Sequence, residues 1–153
     1  MNNKPAVKQR YFEDYDEGEE FDFGNITVSE EEIISFAKQF DPQSFHIDPD
    51  AAKDSPYGGI IASGWHTGSM LMRSLVDNFV SDASLGSPGV DNIRWPQPVR
   101  GGDVLTVKVT VVSKRRSRSK PDRGILVSRS ELFNQERQLV MEVTATNFVK
   151  CRS

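Results

Sequence analysis

Three runs at the C-terminal end, "DVLTVKVTVVSKR", "GILVSRSELFNQ" and "RQLVMEVTATNFVK", constrain this chain more than any other feature. Each is rich in β-branched residues and alternates apolar with polar positions, as a strand with one buried face must. Only the short, turn-rich links "SRSKPDR" and "NQER" separate them. Links of that length cannot hold a crossover helix, so the strands must be antiparallel. A shorter strand, "VDNIRW", stands before them across the link "PQPVRGG".

A sheet with one apolar face needs a cover. The pattern predicts a long helix over residues 64–80, with Gly68, Leu71, Met72, Leu75, Val76 and Phe79 as its buried stripe. Ahead of it, "EFDFGNITVS" reads as a strand. "SEEEIISFAKQF" then carries a helix start, with Ser29 as N-cap and Glu32 completing a capping box. Ile33, Phe36, Ala37 and Phe40 give that helix one apolar face, and Asp41-Pro42 ends it. Asp48 is expected to cap a second, short helix that begins at Pro49. Residues 1–10 are expected to be flexible and the acidic stretch 11–20 to be solvated. The order predicts one α+β domain over residues 1–153, an antiparallel sheet wrapped around a central helix.

Composition narrows the function classes. At 153 residues the chain can bury one good core. A net charge of −3 argues against a general nucleic-acid binder. No apolar run reaches membrane-spanning length, and the polar N-terminus has no signal-peptide core. The single cysteine, Cys151, excludes an internal disulfide framework. These features place the chain in the cytoplasm, with neither nucleic acid nor membrane as partner.

The residues with chemistry to offer are few. The stretch "FDPQSFHID" holds Asp41 and His46, one of only two histidines. A carboxylate and an imidazole converging from one loop can hold a water and move its protons near neutral pH. The same spacing also fits a helix-end aspartate and a structural histidine. Next, "GGIIASGWHTG" runs a glycine-containing loop into the long helix at Gly64. Free N–H groups at such a terminus can bind a carbonyl oxygen; alternatively Ser63 merely caps a core helix. His66, in the first turn, is either a second catalytic imidazole or a packing and orienting one, and its place on an amphipathic turn favours the latter. A zinc site from His46, Asp48, Asp50 and His66 lacks the usual ligand spacing, so no metal is expected. Finally, six of the ten residues in "KRRSRSKPDR", residues 114–123, are Lys or Arg. That run is either a solvated hairpin tip or a contact for the phosphates of a nucleotide-like ligand.

Taken together, "RYFEDYDEGEEF", "ISFAKQFDPQSFHIDPDAA", "GGIIASGWHT" and "PVRGGDVLTVKVTV" resemble the MaoC-like dehydratases, the group containing the (R)-specific enoyl-CoA hydratases. The resemblance implies a hot-dog fold, normally paired into a homodimer and able to form higher homo-oligomers. It implies reversible hydration of a 2-enoyl-CoA, or dehydration of a 3-hydroxyacyl-CoA, in fatty acid metabolism. Asp41 would be the general base, His46 its partner on the water, and Gly64 the donor to the thioester oxygen. Ser63, Trp65 and His66 would bind substrate. No cofactor is implied beyond coenzyme A as part of the acyl-CoA substrate. The chain departs from the family where hydratases commonly have His-Gly and this one has Ser63-Gly64. It departs again at Met72, where some hydratases place an assisting serine. Other readings of the same fold are an acyl-CoA thioesterase and a non-catalytic acyl-CoA-binding subunit. The thioesterase is disfavoured because residues 64–72 offer no carboxylate.

Overall fold

The computed structural model describes residues 3–153. In chain order its elements are β1 (Glu20–Thr27), α1 (Glu30–Phe40), α2 (Ser44–Ile47), α3 (Pro49–Lys53) and α4 (Gly64–Asn78), then β2 (Gly89–Arg94), β3 (Val104–Arg116), β4 (Arg123–Phe133) and β5 (Leu139–Lys150). The strands form one five-stranded antiparallel sheet in the order β1-β3-β4-β5-β2. Helix α4 lies on its apolar face. This is the α+β arrangement of a sheet around one central helix that the strand pattern requires.

Alternation decides which side faces the helix. Leu105, Val107, Val109 and Val111 of β3 point inward, as do Leu126 and Leu132 of β4 and Val140 and Val143 of β5. Burying one such side chain contributes about 1.5–3 kcal/mol, so this layer supplies most of the drive for closing the sheet on α4.

The caps follow local sequence. Ser29 Oγ accepts from the Glu32 N–H at 3.1 Å at the start of α1. Asp48 accepts from the Asp50 and Ala51 N–H groups at the start of α3, with Pro49 in the first turn. Ile33 and Ala37 of α1 are buried, while Phe40, expected on the same face, is 65% exposed.

Two expectations need correction. The stretch 11–20 is not merely solvated: Phe12 and Tyr15 are buried in the core. Gly124 makes this possible, because a Cβ there would lie 2.1 Å from the Phe12 ring. Arg10 is buried too, ion-paired with Glu19 at 3.0 Å and lying over the Tyr15 ring. Lys4 also reaches Asp16 and Glu19, so part of the segment expected to be flexible is tied down. Residues 1 and 2 lie outside the described residues.

The second correction concerns the long helix, which ends at Asn78. Leu71 is buried, as is Phe79 just beyond the helix end, but Met72 is 50% and Val76 42% exposed. The buried face runs instead through Thr67, Leu71 and Ser74. One residue on a helix turns the face by about 100°, so Met72 and Val76 look sideways rather than into the sheet.

Candidate active site

The site forms where four separate segments meet. Asp41 ends α1, where its N–H still bonds to the Ala37 carbonyl at 2.8 Å. Pro42 then turns the chain, and the single helical turn α2 brings His46 back toward Asp41. That turn, within a stretch read as loop, sets the geometry. Asp41 Oδ2 and His46 Nε2 stand 3.3 Å apart, with His46 buried and Asp41 partly open.

The imidazole is fixed from behind. Its Nδ1 lies 2.6 Å from the Ile61 carbonyl oxygen, so Nδ1 carries the proton and donates. Phe45 packs edge-on against the ring at 4.4 Å. Nε2 is then the ring atom turned toward the carboxylate, at a distance where the two groups can share one proton or hold one water.

Asp41 is held as well. Burial alone would raise its pKa, but the neighbouring Ser63 hydroxyl, the Gln43 amide and His46 outweigh burial and keep it below the ordinary carboxylate value. Gln43 Nε2 donates to Oδ1 at 2.8 Å, leaving Oδ2 for His46 and for whatever lies between them.

The opposite wall is the start of α4. Ser63 Oγ accepts from the Trp65 N–H at 3.2 Å, and the Ser63 carbonyl takes the His66 and Thr67 N–H groups. Gly64 N–H donates to no group among the described residues, and Gly64 lines the same cavity as Asp41 and His46. Any side chain here would have to displace the Trp95 indole, since a Cβ would lie 2.5 Å from it. The positive end of a 15-residue helix and a free donor therefore face the carboxylate–imidazole pair.

Sequence reasoning missed the third wall. Trp95, read as the end of a strand, and Pro96, Gln97, Pro98 and Val99, read as a link, line the cavity beside Tyr57. The Val99 carbonyl accepts the Ala62 N–H at 2.8 Å and thereby places the loop before α4. The PVRGGD turn acts behind it, with Asp103 Oδ2 accepting from the Arg100 N–H at 2.9 Å. The cavity encloses about 390 Å³.

The remaining candidates divide. Ser63 and Trp65 line the cavity, but His66 does not. His66 points toward α1, stacked on Phe36 at 4.9 Å, with Nδ1 unbonded. Burial lowers its pKa, opposed only by Glu32, and so favours the neutral ring. His46, Asp48, Asp50 and His66 form no metal cluster among the described residues. Met72 lies outside this cavity and lines a second, largely apolar groove of about 490 Å³, which shares Trp65 with the first. No helix among the described residues is long and apolar enough to cross a membrane.

Residues 14–130 match the family described as "MaoC like domain". The chain belongs to this family. A MaoC-like dehydratase from Rhodospirillum rubrum is 39% identical and superimposes with a TM-score of 0.88, covering 94% of this chain and 99% of that one. 3-Hydroxyacyl-thioester dehydratase Z of Mycobacterium tuberculosis is 34% identical over 90 residues, 57% of this chain and 60% of that protein. Another Mycobacterium tuberculosis protein, described as having a double hotdog fold, shares the fold at 18% identity, with a TM-score of 0.78 over 97% of this chain and 46% of that one. The fold of this MaoC-like chain is thus a hot dog, and hydratase–dehydratase chemistry is the activity its family supports.

Proposed function

We propose that the protein reversibly hydrates a 2-enoyl thioester carried on coenzyme A, and dehydrates the corresponding 3-hydroxyacyl thioester. The observation that carries this reading is the pair Asp41 Oδ2 and His46 Nε2, two acceptors 3.3 Å apart facing a cavity whose other wall holds the free Gly64 N–H. A water donates one O–H to each acceptor. Asp41 takes a proton as the water oxygen bonds to Cβ, and the π electrons move to the thioester oxygen. Gly64 N–H and the helix dipole stabilise that developing enolate, a contribution worth about 10²–10³ in rate. The proton then returns to Cα, leaving the 3-hydroxyacyl thioester. Dehydration runs the same steps in reverse.

The apolar groove past Trp65 suits the acyl chain, with Met72 and Leu75 on its wall. The outer edge of β2 is unpaired, and Trp65, Met72 and Val90 are exposed along the groove. A second copy on that edge would roof it, the homodimer this reading requires. The protein would act in the cytoplasm, on fatty acyl chains.

The test is a panel of trans-2-enoyl-CoA substrates of increasing chain length, followed by loss of the conjugated double bond and by release of free thiol. Loss of the double bond without thiol release is the expected outcome. Thiol release instead would identify a thioesterase, and binding without either change would identify a non-catalytic subunit.

A further inference from the structure

The rim of the site cavity carries charges that the hydration chemistry does not use. The lining run 95–99 is bracketed by Arg94, the last residue of β2, and by Arg100. Neither guanidinium meets a carboxylate within ion-pair distance among the described residues. By contrast Arg10, Arg73, Arg123, Arg129 and Arg152 all do. The other arginines without such a partner lie on the β3–β4 and β4–β5 hairpins, and none adjoins a cavity-lining residue in sequence.

Arg100 is also held in place. Its Nη2 donates to the Tyr57 carbonyl at 2.6 Å, and its backbone N–H to Asp103 Oδ2 at 2.9 Å. The other oxygen of Asp103 accepts from the Gln135 amide at 3.0 Å. One guanidinium N–H is thus spent on Tyr57, which itself lines the cavity, and the others remain to donate. The only carboxylate lining the cavity is Asp41, beside His46. The cavity therefore has its anionic group at the reacting end and a fixed, unpaired cation at the Tyr57 edge.

We propose that Arg100 is the phosphate anchor for the substrate's carrier, a phosphorylated pantetheine thiol. A planar guanidinium fixed at one corner binds phosphate oxygens in two-point fashion at a small cost in side-chain entropy. The basic run 114–123, which the sequence also offers for this role, starts ten residues, about 33 Å, along β3 from the end next to the cavity of the same chain.

This proposal rests on the acyl-thioester reading, and its test separates the two. Binding of coenzyme A, dephospho-coenzyme A, 4′-phosphopantetheine and unphosphorylated pantetheine is measured by calorimetry for wild type, Arg100→Gln and Arg100→Lys. Turnover of crotonyl N-acetylcysteamine thioester, which has no phosphate, is measured alongside and tests hydration alone. Arg100→Gln should weaken coenzyme A by about tenfold or more and leave pantetheine unchanged, with Arg100→Lys in between. Equal loss with 4′-phosphopantetheine places the contact at the pantetheine phosphate, which an acyl carrier protein also bears. Loss confined to coenzyme A and its dephospho form places it on the nucleotide. The proposal is overturned if wild type binds coenzyme A no better than pantetheine, or if Arg100→Gln binds it as wild type does. Equal weakening of pantetheine would overturn it too, by showing that Arg100 only braces Tyr57.

Discussion

His46 and His66 are buried to nearly the same degree, 4% and 7% exposed, yet their surroundings prepare them for different work. His46 comes from a single helical turn, and its Nδ1 is committed to a backbone carbonyl. Its Nε2 is therefore turned toward the Asp41 carboxylate, 3.3 Å away at the cavity wall. His66 lies in the first turn of α4, its face against Phe36 and its Nδ1 bonded to nothing. What sets His46 apart is a fixed tautomer and a carboxylate beside its free nitrogen, not burial. His66 has neither, and burial favours its neutral form.

Removing the carboxylate opposite His46 is the hardest blow to this contrast. Asp41→Asn keeps the shape but gives the water an amide in place of a base. Hydration should fall by about 10²–10⁴, with the circular dichroism spectrum unchanged. Turnover within threefold of wild type would remove Asp41 from the reaction. Gly64→Ala comes next. Its methyl would have to displace the Trp95 indole, so steady-state turnover should fall by about tenfold to a hundredfold. Near-normal rates in that variant would mean that the Gly64 N–H does not meet the thioester oxygen.

A change at the groove should be gentler. Trp65→Ala joins the two cavities and should shift chain-length preference toward longer enoyl thioesters, read as kcat/KM ratios across the panel. Unchanged ratios would place the acyl chain elsewhere.

The smallest effect is thermodynamic and belongs to His66. Its folded-state pKa lies below the ordinary value of 6.5. The unfolded chain therefore binds the proton more readily, and stability contributed above 6.5 is lost as pH falls below it. His66→Gln should flatten that part of the dependence of Tm on pH below about 6.5. An identical slope in the variant would show that His66 is not the group responsible.

The parts of this molecule legible in its sequence are those decided locally. Ser29 and Asp48 cap their helices with bonds to residues two or three positions away. Strand alternation identified the inward faces of β3 and β4. Asp41 and His46 were recognisable as a candidate pair because one short loop carries both. The misreadings arise where distant chain segments decide. Phe12 is buried because Gly124, on another strand, leaves room for its ring. Met72 and Val76 looked like core because Thr67 and Ser74, which are buried instead, carry no apolar signal. The wall at residues 95–99 could not be placed by any pattern. Its position depends on the Val99 carbonyl reaching Ala62, and on an aspartate-held turn behind it.

The most direct measurement sets the two histidines against each other in one assay. Hydration of crotonyl-CoA is followed for His46→Gln and His66→Gln, with Tm recorded for both. The account predicts that His46→Gln loses at least about a hundredfold while remaining folded, and that His66→Gln stays within threefold of wild type. Equal losses in the two variants, or near-normal turnover without His46, would contradict it.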